Sequence, residues 1–198
     1  MVDAKHIELL LRQHFIINGS YEIDAQGEVS ITGSVAVRST IKQLPVSFAH
    51  VSKNFRCERN HLVTLAGAPR SVGGDFWCQE NLLTSLEHSP VTVGGSFVCH
   101  NNQLSTLQGA PRSVGGTFNC AHNPLQSIQH APDADTLIFN YEPHMPLLQI
   151  LKYKNTVMFE APQDVRIILN KYVGTGKKGA LACAAELIRA GYRENARW

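Results

Sequence analysis

The chain has few charged residues and no long apolar run. Charged residues make up 17% of its 198 residues and the net charge is +2, which excludes a strongly acidic nucleic-acid mimic and gives no general reason to expect tight phosphate binding. No apolar run approaches the ~20 residues that a membrane-spanning helix needs. The N-terminal sequence MVDAKHIELLLRQHF mixes charged with apolar residues, so it lacks the pattern of a secretory signal. With 43% apolar residues, disorder is not expected, and we predict a soluble protein of the cytoplasm.

Four consecutive segments of the sequence share one pattern with a period of 21 residues. They begin at Val51, Val72, Val93 and Val114, and the last three are VGGDFWCQENLLTSLEHSP, VGGSFVCHNNQLSTLQGAP and VGGTFNCAHNPLQSIQHAP. Their common core is F-x-C-x-x-N-x-L-x-x-L. Self-similarity at a short, fixed period is typical of a solenoid, in which each coil buries its apolar side chains against the next coil.

Each position of the pattern has a structural interpretation. Phe and Cys lie two residues apart and point to the same side of a strand, which we assign to the solenoid interior. The Asn is expected to turn the chain off the strand and to hydrogen-bond the backbone of its own and neighbouring coils. The proline after the Leu pair favours an extended return segment, and the Gly pair permits a tight entry to the next strand.

We divide the chain into three parts on the extent of this pattern. Residues 1–34 are predicted to form a helix, with Asp3 as its N-cap, and a β-hairpin around residues 25–27. Residues 35–142 hold the repeats and end in a degenerate strand at Leu137, Phe139 and Tyr141. Residues 143–198 form a helical cap, with helices beginning near Pro146 and Pro162. The last helix runs from about Lys178 to Ala190, and its apolar residues are Leu181, Ala184, Ala185 and Ile188.

The cysteines do not indicate a metal site or a catalytic nucleophile. The repeat cysteines, Cys57, Cys78, Cys99 and Cys120, stack in a line at a spacing of 21 residues, whereas a zinc site needs a tetrahedron of ligands. Cys183 has small apolar neighbours and no acid–base motif beside it, so we expect it to pack inside the helical cap. We predict no metal, no cofactor and no enzymatic activity.

The side chain between Phe and Cys points away from the interior and differs in every repeat. This row consists of Arg56, Trp77, Val98 and Asn119. Trp and Arg are enriched among the residues that dominate binding energies at protein interfaces. The predicted partner-binding residues on and beside this row are Arg56, Asp75, Trp77, Gln79, Val98 and His100. Coverage of Trp77 by a terminal segment, or self-association there, would explain the same pattern.

The motif GAPxxVGGxFxCxxNxL resembles the short leucine-rich repeats of phage-encoded and prophage-encoded proteins. The resemblance extends to the preceding segments YEIDAQGEVSITGSVAV and LPVSF, and covers nearly the whole chain. It implies an α/β fold: a right-handed leucine-rich-repeat solenoid with a short parallel β-sheet, an N-terminal helix and hairpin cap and a C-terminal helical cap. It also implies binding of a protein through the concave face. By analogy, the partner is a bacterial host protein, for example a defence component, that the chain inhibits or redirects.

Two other functional classes remain open at this point. Residues 151–198 contain nine Lys or Arg and four Asp or Glu, so the C-terminal end is basic and suits nucleic acid or an acidic partner. An enzyme with its chemistry in the C-terminal helices is the third hypothesis. No membrane association is expected.

Overall fold

The computed structural model describes residues 3–198, which form a parallel β-solenoid of about seven coils with helices at both ends. The first part comprises α1 (Ala4–His14) and a hairpin of β1 (Phe15–Ile23) and β2 (Glu28–Val37). The repeats contribute the short strands β3 (Ser47–Val51), β4 (Phe55–Arg56), β5 (Ser71–Val72), β6 (Phe76–Trp77), β7 (Thr92–Val93), β8 (Phe97–Val98), β9 (Ser113–Val114) and β10 (Thr117–Asn119). The last part comprises β11 (Thr136–Asn140), a 3₁₀ helix (Leu148–Lys152), β12 (Asn155–Phe159), α2 (Gln163–Asn170) and α3 (Lys177–Arg189).

The strands form two parallel ladders that meet at β2. The sequence pattern predicted one strand per repeat and not two. The first ladder stacks β3, β5, β7 and β9 on the first half of β2, and the second stacks β4, β6, β8, β10, β11 and β12 on its second half. Each repeat therefore contributes one short strand to each ladder. The Gly pair lies at the bend between them.

The predicted hairpin is confirmed, and it starts both ladders. Gly19 pairs with Gly33, and both have φ of 140°. A Cβ on Gly33 would lie 2.0 Å from the carbonyl oxygen of Asn18, so only glycine fits at this bend. The expected boundary between residues 34 and 35 falls inside β2. Residues 1 and 2 of the expected N-terminal unit lie outside the described residues.

The Gly pairs permit close stacking of the coils. A Cβ on Gly94 would lie 2.2 Å from the carbonyl oxygen of Gly73, and a Cβ on Gly115 would lie 2.1 Å from that of Gly94. Real Cβ atoms do not approach oxygen so closely, so each coil at this bend contacts the backbone of the coil before it. The glycines are thus required by space, since none of the three has a left-handed φ.

The predicted interior ladders of Phe and Cys are confirmed. The rings of Phe55, Phe76, Phe97 and Phe118 stack at centroid separations of 5.3, 5.1 and 5.6 Å. All four repeat cysteines are buried beside them. Ring stacking of this kind contributes about 0.5–1.5 kcal/mol per pair beyond the burial of area, so the aromatic column stabilises the contact between successive coils.

The predicted role of the repeat Asn is also confirmed. Asn81 accepts a hydrogen bond from the backbone N–H of Leu62 at 3.0 Å. Its Nδ2 donates to the carbonyl oxygens of Cys57 at 2.9 Å and Cys78 at 3.1 Å, so one side chain joins two coils. Asn102 repeats the arrangement one coil further on. Buried backbone groups need partners, and the Asn column supplies them where the chain leaves the strand.

Helices cover both ends of the solenoid. Asp3 caps α1 as predicted, because its carboxylate accepts a hydrogen bond from the N–H of Lys5 at 3.1 Å. α1 buries Ile7 and Leu11 against the first coil. None of the helices within residues 3–198 has the length and apolar character that a membrane crossing requires.

The C-terminal cap differs from the prediction in two respects. The expected last strand is followed by β12, which pairs with β11 and completes the second ladder. α3 forms as predicted, but it buries Cys183 and Leu187, while Leu181 is 87% exposed and Ile188 is 46% exposed. Leu181 and Ile188, two of the apolar residues named for the predicted helix, therefore lie on its exposed side. Helical periodicity places them on one face, but only the contact with the rest of the cap decides which face is buried.

Candidate functional site

The outward-facing side chains of the second ladder form one continuous row. Pairing of successive strands aligns Ala36, Arg56, Trp77, Val98, Asn119, Ile138 and Val157. We call these seven residues the outer row. The flanking row, two positions further along each strand, consists of Glu58, Gln79, His100, Ala121, Asn140 and Phe159. Five of the six predicted site residues lie on these two rows, so the fold brings them together.

Arg56 and Trp77 form the most structured contact of the outer row. The guanidinium carbon lies 5.0 Å from the centroid of the indole ring, within the range of a cation–π interaction. The Nε of Arg56 also donates to Glu58 at 2.9 Å, which fixes the guanidinium over the ring. Trp77 is half-buried by these neighbours and remains partly accessible from the solvent. The pair therefore offers a rigid aromatic and cationic surface to a ligand.

Asp75, the sixth predicted site residue, lies in a row that stabilises the stacking of the coils. Its carboxylate accepts a hydrogen bond from the N–H of Ser96 at 2.7 Å. At the equivalent positions, Asn54 accepts from the N–H of Asp75 at 2.9 Å and Ser96 accepts from Thr117 at 3.2 Å. Each side chain of this row thus binds the backbone of the next coil. Asp75 has a structural role, whatever else it contacts.

Two oxygen atoms in the flanking row lack a hydrogen-bond donor. Oε2 of Glu58 and Oε1 of Gln79 are buried, and neither has a partner among the described residues. The two residues are neighbours in successive coils, next to Arg56 and Trp77. Buried acceptors without a donor are uncommon in folded proteins. A ligand that carries N–H or O–H groups would reach these two oxygens only after the side chains that cover them move.

His100 lies at the far side of Gln79 and is half-buried. Burial lowers the pKa of His100, Glu80 opposes this effect, and the nearby His122 adds to it. The side-chain Nδ2 of Asn101 donates a hydrogen bond to Nδ1 of His100 at 3.0 Å. His122 in turn contacts the ring of Phe159, at a centroid distance of 5.4 Å. The two histidines connect the Trp77 region to the end of the ladder.

Three apolar residues of this face were not predicted from the sequence. Ile138 is half-buried in β11, whereas Val157 and Phe159 in β12 are 43% and 40% exposed. Leu137 pairs with Thr156, a spacing of 19 residues, so the last coil departs from the 21-residue period. The apolar segment Asn155–Phe159, rich in strand-forming residues, was the available signal.

A shallow groove of about 550 Å³ follows the bend beside the first ladder. Its floor is formed by Gly73, Gly94 and Gly115, and polar side chains such as His50 and Thr92 line one side. The Nδ1 of His50 lies 2.8 Å from the hydroxyl of Ser71. The groove has no aromatic anchor or cluster of charges, so a substitution in it is a control for the outer row.

The cysteine thiols are buried away from both faces. Burial raises the pKa of Cys120 to about 12, and that of Cys183 to about 11 with a contribution from Glu186. A thiolate is the nucleophilic form of cysteine, and a raised pKa disfavours it. Residues 3–198 contain no group of three or more His, Cys, Asp or Glu side chains placed to hold a metal ion.

A scan against protein-family models and searches of curated proteins and of solved structures find no match to this chain. The geometry of the outer and flanking rows is therefore the basis of the functional proposal.

Proposed function

We propose that the chain is a non-catalytic protein-binding module that binds its partner through the outer face of the second ladder. The F-x-C-x-x-N-x-L pattern and the buried Asn column support a solenoid of the leucine-rich-repeat type. Its right-handed sense and its origin in a phage or prophage are proposed from the resemblance of the GAPxxVGGxFxCxxNxL repeats alone. The partner is a bacterial cytoplasmic protein, for example a defence component, which the module inhibits or redirects. The outer row then corresponds to the concave face of such repeats.

The Arg56–Trp77 pair is the observation that carries this proposal. Both side chains are held by neighbouring groups, so little rotamer freedom is lost when a partner binds. Neither the Arg56 nor the Trp77 side chain belongs to the buried core. Within residues 3–198 the side chain of Trp77 makes no hydrogen bond, so it does not join the coils in that way. Trp and Arg are, together with Tyr, the residue types enriched at positions that dominate the energy of protein interfaces.

The groups around the pair indicate the chemistry of the partner's surface. The buried, unpaired oxygens of Glu58 and Gln79 favour a partner whose hydrogen-bond donors reach them once the covering side chains move. Val98, beside Trp77 in the outer row, favours an apolar contact next to those donors. A Lys or Arg side chain suits both requirements, since its stem is apolar and its head donates hydrogen bonds.

The proposal is tested by affinity capture from a bacterial lysate, followed by mass spectrometry and calorimetry on the purified partner. Trp77→Ala should weaken binding by about 2 kcal/mol or more, roughly thirtyfold in Kd, while its melting temperature stays near that of the wild type. Asn119→Ala, further along the same row, should cost less than about 1 kcal/mol. Thr92→Ala, in the groove of the first ladder, should have no effect.

The basic C-terminal end supports a second candidate, binding of nucleic acid. Lys177 and Lys178 are exposed at the start of α3. Phosphate contacts would give a steep loss of affinity with added salt, which separates this function from binding at the outer row. Loss of binding on Lys177→Glu with Lys178→Glu, together with unchanged binding by Trp77→Ala, would contradict the protein-binding proposal.

A further inference from the structure

The last strand, β12, leaves one edge of the sheet without a partner. Asn155 donates to the carbonyl oxygen of Asp135 at 3.2 Å, and the carbonyl oxygen of Phe159 accepts from Tyr141 at 2.9 Å. Residues 155, 157 and 159 thus turn their backbone groups toward β11. The backbone groups of Thr156 and Met158 point the other way, because N–H and C=O groups alternate along a strand. Their N–H groups have no hydrogen-bond partner among residues 3–198.

The sequence of β12 carries none of the features that protect sheet edges. Natural edge strands are blocked by charged residues, proline or bulges, and Asn155–Phe159 has none of these. β1, the terminal strand at the other end, has Glu22 and a kink at Gly19 with φ of 140°. The greater exposure of Val157 than of Ile138 in the same row reflects the missing neighbour beyond β12.

We propose that the edge of β12 is a docking site for an extended segment of a protein partner, which adds to the sheet as one more strand. The unpaired groups of Thr156 and Met158 are separated by two residues, the repeat at which another strand presents its own donors and acceptors. Val157 and Phe159 would contact every second side chain of the added segment. This inference rests on the proposed protein-binding function, and it adds a second contact that is separate from Trp77.

The charges at the two ends of β12 indicate the direction of the segment and its terminal residues. Lys154, which pairs with Asp135 at 2.6 Å, precedes the strand, and Glu160 follows it. In an antiparallel segment, a basic residue at the start would lie opposite Glu160, and an acidic residue at the end would lie opposite Lys154. Alternating β-branched residues between them would match the exposed face of the strand.

A second copy of this chain presents the same charges at its own β12, with Lys154 and Glu160 at the two ends of the strand. Its pairing with this edge is therefore one outcome of the test, which sedimentation distinguishes from the binding of a single extended segment.

The test uses the intact protein and the synthetic peptide Ac-KVTVTVE-NH2, followed by amide hydrogen exchange. At a peptide concentration about ten times its Kd, exchange at Thr156 and Met158 should slow by about tenfold. The amide of Val157, which already faces β11, should exchange as before. The control peptide Ac-KVPVPVE-NH2 lacks the two N–H groups that would face the edge, so it should give no protection.

Three results would overturn the proposal. The first is slow exchange at Thr156 and Met158 in the free protein, which would mean that the edge is already covered. The second is equal protection by both peptides, which would show that backbone pairing is not involved. The third is a concentration-dependent dimer in sedimentation with the same two amides protected, which would assign the edge to a second copy. If the peptide still binds to the Trp77→Ala variant, the edge of β12 is a binding site of its own, even where the proposal for the outer row fails.

Discussion

Replacement of Asn81 by alanine tests whether the Asn column holds the coils together. Asn81 is buried, and its amide group makes hydrogen bonds to the backbone of two successive coils. Alanine keeps the Cβ and removes every one of these contacts. Because the side chain lies inside the turn, solvent cannot replace it without opening the coil.

The magnitude follows from which backbone groups lose their only partner. The N–H of Leu62 is buried and, within residues 3–198, donates to Asn81 alone, so it becomes unsatisfied at a cost of about 1–3 kcal/mol. The carbonyl oxygens of Cys57 and Cys78 retain one donor each, from Asn60 and Asn102. Losing their second hydrogen bond adds about 1 kcal/mol for the two together. We expect Asn81→Ala to lower the free energy of unfolding by about 2–4 kcal/mol.

Urea denaturation monitored by circular dichroism measures this loss, and a thermal melt should show a drop of roughly 2–4 °C per kcal/mol for a chain of this size. Gln103→Ala is the matched control, since it removes an exposed amide in the next coil and should change stability by less than about 0.5 kcal/mol. An equal effect of the two substitutions would refute the role assigned to the column. So would unchanged hydrogen exchange at the Leu62 amide in the Asn81 variant.

The remaining predictions concern a strained turn, the C-terminal helix and a buried thiol. His88 has a left-handed φ of 67°, so His88→Gly should raise the unfolding free energy by about 0.5 kcal/mol in urea denaturation; a decrease would contradict the strain. Leu187→Ala should lower it by about 2–5 kcal/mol, whereas the exposed Leu181→Gln should change it by less than about 0.5 kcal/mol; the reverse order would mean that α3 packs through its other face. Because burial raises the pKa of Cys183 to about 11, a thiolate-selective reagent at about pH 8 should label it about a hundredfold more slowly than free cysteine, and labelling at the free rate would refute its burial.

The repeat unit could be predicted because its contacts recur at a constant spacing. Phe76 and Cys78 lie two residues apart along the line of one strand, so both point into the interior. The 21-residue period then stacks each of them on the same residue type in the neighbouring coils. The same regularity predicted the hydrogen bonds of the repeat Asn. Every coil provides the same neighbours to the next, so local sequence and tertiary contact carry the same information.

The parts that were not predicted are those where this regularity ends. The short strands of the first ladder, such as Ser71–Val72, consist of two residues between a proline and a glycine pair, too short for a periodicity of their own. β12 follows β11 at a changed spacing, and its pairing depends on a sheet that is already formed. The buried face of α3 depends on how the cap packs on the 3₁₀ helix, which no pattern within α3 specifies.

Variation within a repeat does not by itself mark a recognition surface. The comparison of the outer row with the row two residues before it on each strand shows why. Asn54, Asp75, Ser96 and Thr117 differ as much as the residues of the outer row. The first three nevertheless perform one task, because each accepts a hydrogen bond from the N–H of the next coil. Any short side chain with an acceptor oxygen satisfies that requirement, so variety there reflects chemical equivalence. Arg56, Trp77 and Val98 have no common chemistry, and the stacking of the coils needs none from them. Their variety is left without a structural explanation, which is the stronger reason to propose that this row contacts a partner.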